Sequence, residues 1–429
     1  MHVIGLDLGT SRFKGVILAA NGRAVLAAAE RELRFIKDGP RVEIDPEDHW
    51  QSFTSLLREL VAAAHGDSDI ALCFAAAAGN TLLLDPQTGT PLTNIISWLD
   101  QRADSDDLPA LHGLDPEKLR ALTGWPIITR MALAHLAFFR KHAADILDRA
   151  IVSQNQAYLL CRLTGKHLVD FSAAVPFRVV DQLNECYAPA LLRRFALRPE
   201  QLPQLVPVGS FAGTVLPAAA AATGLPPTTR IYAGCFDHPA AARASAVQHE
   251  GDLLLSCGTS WVGFLPCRDR QKLLTARLLI DPFRRHENGT WAGMFSIPGI
   301  GPLIDEYVHR YIAPVCHDPF QRFDELARAH CAGACRIDLT TPYAQPNGTP
   351  GEAARALMEA AAEGLARELT RLKAHGLTFQ HAVMVGGPAK STIWPQIVAQ
   401  KTGLAISVGS AAAGAIGAAR IALAATQTQ

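Results

Sequence analysis

The chain has 429 residues, 49% of them hydrophobic, and a formal net charge of +0. That length exceeds one ordinary domain and allows sizeable cores, so two or three domains are expected. Balanced charge excludes a nucleic-acid partner held through a basic face, but not a small anionic ligand held by local groups. The nine cysteines show no CxxC spacing. Cys331 and Cys335, near His330, lack the second pair that a zinc site needs. Reduced thiols in a cytoplasmic protein are the simpler reading, with Cys73, Cys235 and Cys257 filling strand positions. The beginning reads as a strand, without a basic leader or cleavage site, and the apolar run 411–425 is short and broken by Arg420, so no membrane partner is expected.

The first stretch is His2-Val3-Ile4-Gly5-Leu6-Asp7-Leu8-Gly9-Thr10-Ser11-Arg12-Phe13-Lys14-Gly15-Val16-Ile17-Leu18. It reads as strand, Gly-Thr-Ser turn, strand. The turn's free N–H groups, with Thr10, Ser11 and Lys14, suit phosphate oxygens. Asp7, set between two leucines, suits a magnesium ion held through water. An ordinary hairpin with a capped turn fits the stretch equally well. Asn21-Gly22 signals a two-residue hairpin into a third strand over 24–29. Asp45-Pro46-Glu47-Asp48 then reads as N-cap, N1 proline and acidic first turn of a helix whose Trp50, Phe53, Leu56, Leu57 and Leu60 share a face. A buried strand follows over 70–75. Meander, helix and buried strand come in the order of an actin-like or ribonuclease-H-like nucleotide domain.

Next, Asn94-Ile95-Ile96-Ser97-Trp98-Leu99-Asp100-Gln101-Arg102 offers a flat ring, an acid and a base. These suit a sugar's apolar C–H patches and its hydroxyls; a core tryptophan with a surface ion pair is the alternative. Residues 115–164 are mostly helical, with Met131, His135, Phe138 and Phe139 on one face and His135 expected to be packed. Asp170-Phe171-Ser172 is expected on a loop. A buried strand over 231–236 runs into Asp237-His238-Pro239, which places Asp237 at a helix N-terminus. There it can be a cap, or a base for a hydroxyl attacking a phosphoryl group.

The boundary is expected near Gln248, giving domains 1–248 and 249–429. The second half opens like the first, with Asp252 to Leu265 reading as strand, Gly258-Thr259-Ser260 turn and strand. Ser256 stands where the first copy has Asp7, so the metal belongs to the first half. Gly299 and Gly301 form a glycine turn into a helix, and Gly301 is counted with the ATP-binding residues. A long helix over 351–375 ends at Gly376. Gly386-Gly387 after a strand lets a base or ribose approach the backbone, and Ser391 caps the next helix. A small-residue helix from Ala411, with Gly414 and Gly417, closes the chain.

Together these residues resemble the FGGY family of carbohydrate kinases, in the actin-like and hexokinase-like ATPase superfamily. The resemblance runs nearly end to end. It rests on Asp7 to Ser11 with Lys14, Trp98 with Asp100 and Arg102, Gly234 with Asp237, Gly258 to Ser260, and Gly386-Gly387 with Ser391, Trp394 and Gln396. It implies an α/β fold of two ribonuclease-H-like domains with a deep interdomain cleft, the N-terminal one sugar-binding and catalytic, the C-terminal one nucleotide-binding. It implies ATP and Mg2+, Asp237 as catalytic base, Asp7 serving the metal, the two turns as phosphate loops, and closure that expels water. The partner is a small-molecule sugar, and a homodimer is compatible. Xylulose is the nearest acceptor. Yet Phe74-Ala75-Ala76-Ala77-Ala78-Gly79-Asn80 stands where xylulose kinases carry Gln-Met-His, so a different acceptor, or contacts from Asn80, is implied. A degenerate sensor and a chaperone-like ATPase are the competing readings.

Overall fold

The computed structural model describes all residues except 65–68, 105, 129, 259, 313–316, 334, 338, 340–347 and 429. It divides into two compact units, Met1–Ala244 with Gly414–Gln429, and Ser245–Ala413. The division differs from the expected boundary at Gln248 chiefly because the last helix returns to the first unit.

In the first unit, β1 (His2–Leu8), β2 (Arg12–Leu18) and β3 (Val25–Glu32) form an antiparallel meander. Then β4 (Ile70–Ala76) pairs parallel with β1. Strands β5 (Phe211–Thr214) and β6 (Arg230–Tyr232) complete a six-stranded sheet in the order β5-β6-β4-β1-β2-β3. Burial of all seven residues of β4 agrees with a strand covered on both faces. The expected two-residue hairpin after Leu18 is instead a longer connection. Asn21 Oδ1 accepts from the Arg23 and Ala24 N–H groups, which makes an Asx turn rather than the tight primed turn. The strand expected over 231–236 stops at Tyr232, leaving a bridge between Ala76 and Phe236.

Helix α1 (Pro46–Ala63) starts as expected. Asp45 accepts from the Glu47 and Asp48 N–H groups, and Trp50, Phe53, Leu56, Leu57 and Leu60 enter the core with Ile4, Leu6, Phe13 and Leu72. Met131 precedes helix α2 (Ala132–His142) rather than lying in it. Asp170 is not on a loop. It ends the strand Leu168–Asp170, accepts from the Ala173 N–H at 2.8 Å, and is buried.

Two buried histidines carry a pH prediction. His49 and His135 are each 1% exposed, and burial pushes both imidazoles down to about 3. The folded value lies below the unfolded one, near 6.5, so the unfolded chain takes the proton first. The stability of the first unit is fully present above about pH 6.5 and declines as pH falls toward 3. Neither ring nitrogen of His49 has a partner. His49→Leu is therefore expected to flatten the fall in melting temperature across that window, and an unchanged slope would contradict this.

The second unit repeats the plan. Strands β7 (Gly251–Cys257), β8 (Trp261–Cys267) and β10 (Thr290–Ile297) form the meander, with β9 (Leu279–Arg284) at its edge. Strands β11 (Phe379–Gly386) and β12 (Ala405–Val408) run parallel to β7, in the order β9-β10-β8-β7-β11-β12. Five strand positions thus correspond between the units: a three-strand meander and two parallel strands. The sixth strand is added at opposite ends. Helices α3 (Asp237–Ala244), α4 (Ile300–Tyr307) and α5 (Pro319–Ala329) begin beside glycine or proline turns. The long α6 (Pro350–Lys373) buries Leu357, Ala361, Leu365, Leu369 and Leu372 against this sheet. Helices α7 (Trp394–Thr402) and α8 (Ala413–Gln427) complete the chain. No helix among the described residues is long and apolar enough to cross a membrane.

Candidate active site

Asp7 lies one residue from the end of β1, paired across the hairpin with Lys14. Its Oδ1 is shut off from solvent and has no hydrogen-bond partner. Burial, then the charge of Asp237, push its carboxyl up to about 7, against an opposing pull from Lys14. Two acids from distant parts of the sequence are therefore close enough to repel. Asp237 opens α3, and its Oδ1 accepts from the His238 N–H at 2.7 Å.

Helix α8 supports Asp7 from the other side. A Cβ placed on Gly414 would fall on the Asp7 carboxylate, one on Gly417 would strike the Ala240 carbonyl, and one on Gly5 would strike Ala415. The three glycines let α8 settle between β1 and α3. Gly414 stands in the first turn of α8, where the helix end favours a negative charge.

The first turn is tied to the expected acceptor segment. Trp98 Nε1 donates to Thr10 Oγ1 at 2.8 Å, and the Trp98 N–H donates to Asn80 Oδ1 at 3.0 Å. Thr10, Asn80 and Trp98 are thus brought together. Ser11 has an exposed side chain, while its carbonyl accepts from the Leu33 N–H at 2.9 Å. Asp100 and Arg102 are placed differently. Asp100 Oδ2 accepts from the Val42 N–H, and Oδ1 accepts from Arg102, whose Nη2 also reaches Glu43. Both carboxylate oxygens are engaged inside the protein, and Asp100 is 1% exposed. The pair is a buried network bracing the segment after Ile96, not a surface ion pair.

In the second unit, a cavity of about 800 Å³ is lined by Gly258, Gly301, Gly387 and Ser391. Four of the expected nucleotide residues, from three separate segments, therefore share one chamber. Gly386 stands just outside, at φ 101°, where a Cβ would strike the Cys257 carbonyl. Ser260 accepts at its carbonyl from the Gly258 N–H at 3.2 Å; Thr259 lies outside the described residues. Ser391 Oγ accepts from the Ile393 and Trp394 N–H groups at the start of α7. Ser391 also hydrogen-bonds the Asp324 carboxylate, whose pKa burial nevertheless raises. Trp261 and Trp394, with rings 5.5 Å apart, stand in the wall with both indole N–H groups buried and unpartnered.

Helix α5 supplies lining that the sequence reading missed: Phe320, Phe323, Asp324 and Arg328. The signal available was Asp318-Pro319, a cap and N1 proline. It locates a helix but not the neighbour it faces.

An unpartnered, buried carboxylate oxygen on Asp7 is the donor type a magnesium ion takes, so the residues present fit the metal.

Comparison with known proteins agrees with these features. Residues 2–243 match the N-terminal domain model, and residues 326–426 the C-terminal domain model, of the FGGY family of carbohydrate kinases. Xylulose kinase from Escherichia coli (strain K12) is 27% identical, over 98% of this chain and 89% of that protein. Xylulose kinase from Bacillus subtilis (strain 168) is 25% identical, over 93% and 83%. The crystal structure of xylulose kinase from Rhodospirillum rubrum superposes with a TM-score of 0.84 at 25% identity, covering 99% of this chain and 90% of that one. The two-unit α/β plan and both domain matches place the chain in the FGGY family of carbohydrate kinases.

Proposed function

We propose that this protein transfers the γ-phosphoryl group of ATP to a hydroxyl, terminal and primary, of an open-chain ketose or related polyol. The observation that carries the reading is the pair of acids in the first unit. Asp7 carries a buried, orphaned carboxylate oxygen, and Asp237, at the head of α3, is near enough to raise its pKa. One acid then serves the metal and the other the proton.

Asp237 accepts the hydroxyl proton as oxygen attacks phosphorus. Thr10, Ser11 and Lys14 of the first turn, and Gly258, Thr259 and Ser260 of the second, hold phosphate oxygens. Gly301, Gly386, Gly387 and Ser391 frame the adenosine end. Asn80 and Trp98 face the acceptor, while Asp100 and Arg102 fix the segment that carries Trp98. Asp7 would hold the magnesium ion, which when bound neutralises charge on the phosphates. The protein's contribution is chiefly position and electrostatics.

Xylulose is the reference acceptor, since relatives bearing that name match nearly the whole chain. Residues 74–78 argue for a different one, being apolar and buried. A panel of ketoses, polyols and aldonic acids, each with ATP and magnesium, tests the proposal. ADP release that depends on one acceptor is expected. Equal release without any acceptor would indicate an ATPase, and ligand binding without release a sensor.

A further inference from the structure

Arg178 is a buried cation without a counter-charge among the described residues. Its relative exposure is 0%. Its backbone sits at φ 62°, a left-handed conformation uncommon for a residue with a Cβ. Nη1 donates to the Ile128 carbonyl at 3.0 Å, and Nη2 meets Met131 Sδ at 2.5 Å, a weak acceptor. The guanidinium lies 5.5 Å from the Trp125 ring centroid. Nε has no partner, and no carboxylate is within ion-pair distance among the described residues. Burial alone pushes the guanidinium down to about 9. An isolated buried charge is costly, and such costs, like backbone strain, collect at functional sites.

Its surroundings lead to the acceptor region by two routes. Met131 Cγ lies 3.3 Å from where a Cβ on Gly79 would stand, and Trp98 Cβ lies 3.4 Å from the same point. The Trp125 ring lies 6.3 Å from Phe236, the residue before Asp237. Arg178 is therefore one side chain behind both Trp98 and the Asp237 turn.

We infer that Arg178 receives a carboxylate on the acceptor, so that the substrate is an open-chain sugar acid rather than a neutral ketose. The inference rests on the kinase reading and replaces its neutral acceptor with an acidic one. The acid's two oxygens take Nε and Nη2 as parallel bonds, a fit to the planar fork that lysine lacks. The unbranched Met131 side chain rotates aside and gives up its place on Nη2. The distal hydroxyl oxygen bonds to the γ-phosphorus as the bond from phosphorus to the β–γ bridging oxygen breaks. ADP leaves, the hydroxyl proton passes to Asp237, and the product is a phosphorylated sugar acid. The bare stretch 74–78 then follows, because one charge contact orients what several polar side chains orient elsewhere.

The test is kinetic. The whole protein, with ATP and magnesium, is assayed on five- and six-carbon aldonates and ketoaldonates, on neutral polyols and ketoses of equal length, and on their monophosphates. One acid is expected to exceed its neutral counterpart in kcat/KM by about 100-fold or more. Arg178→Met is expected to raise KM for that acid by a similar factor, leave KM for ATP unchanged, and keep or raise the melting temperature. Arg178→Lys should recover part of the loss. A neutral acceptor used as well as the acid, or Arg178→Met slowing all acceptors alike with a lower melting temperature, would overturn the inference and leave the kinase reading standing. Preference for the monophosphates would overturn the carboxylate assignment. No phosphorylation of any acceptor would remove the kinase reading itself. The wild-type panel decides the matter even if a variant fails to fold.

Discussion

Asp237→Asn is expected to lower phosphoryl transfer by about two to four orders of magnitude, the usual worth of a positioned general base. Asparagine keeps the size of the side chain and can still accept from the His238 N–H, the bond Asp237 makes at 2.7 Å. What it loses is the capacity to take a proton. Asp237 is not among the residues lining the second unit's cavity, so nucleotide affinity should be unchanged. The substitution has a second, electrostatic effect. The charge of Asp237 helps push Asp7 up to about 7, so the substitution should lower the Asp7 pKa. Isothermal titration with ATP and steady-state turnover on the same preparation check both halves. Turnover within about threefold of wild type would remove Asp237 from the role; the margin is small beside the expected loss.

The second large effect is structural and involves no charged group. Gly417→Ala is expected to destabilise the first unit by about 1–3 kcal/mol, the common cost of forcing a methyl into a packed site. The added carbon would meet the backbone of Ala240, at its carbonyl carbon and oxygen. Backbone cannot rotate away as a side chain can. Alanine's helix propensity opposes the loss by about 1 kcal/mol or less, so the clash decides the sign. Gly5→Ala strikes α8 from the strand side, at Ala415 and Ala419, and should act similarly. Since 1 kcal/mol shifts a unit of this size by about 2–4 °C, the pair together should lower the first melting transition clearly. Gly387→Ala is the control, as nothing lies within 4 Å of a Cβ there. If Gly417→Ala melts with wild type, α8 is not packed against α3 as described.

Much of the fold was legible because both hairpins, the capped α1 and the glycine-ended strands are local in sequence. Each depends on a period of two or on a cap within four residues. What escaped was long-range. The engagement of Asp100 and Arg102 depends on Glu43 and Val42, more than fifty residues upstream, and spacing alone could not distinguish a buried brace from an open sugar contact. The return of α8 to the first unit left a local trace in Gly414 and Gly417, which announced tight packing but not the surface packed against. Helix α5 shows only a cap and an N1 proline in the sequence, because its cavity face becomes visible only once α7 and Ser391 stand opposite. Arg178 carried no signal at all, since its oddity lies in what is missing around it.

The most direct test of the central claim, that Asp237 sends the phosphoryl group to an acceptor hydroxyl, is phosphorus NMR of the reaction itself. Wild-type protein with ATP, magnesium and its acceptor should give a phosphomonoester resonance growing in step with ADP, and Asp237→Asn should give neither. Inorganic phosphate appearing in place of the monoester, or a monoester formed equally by the variant, would contradict the account.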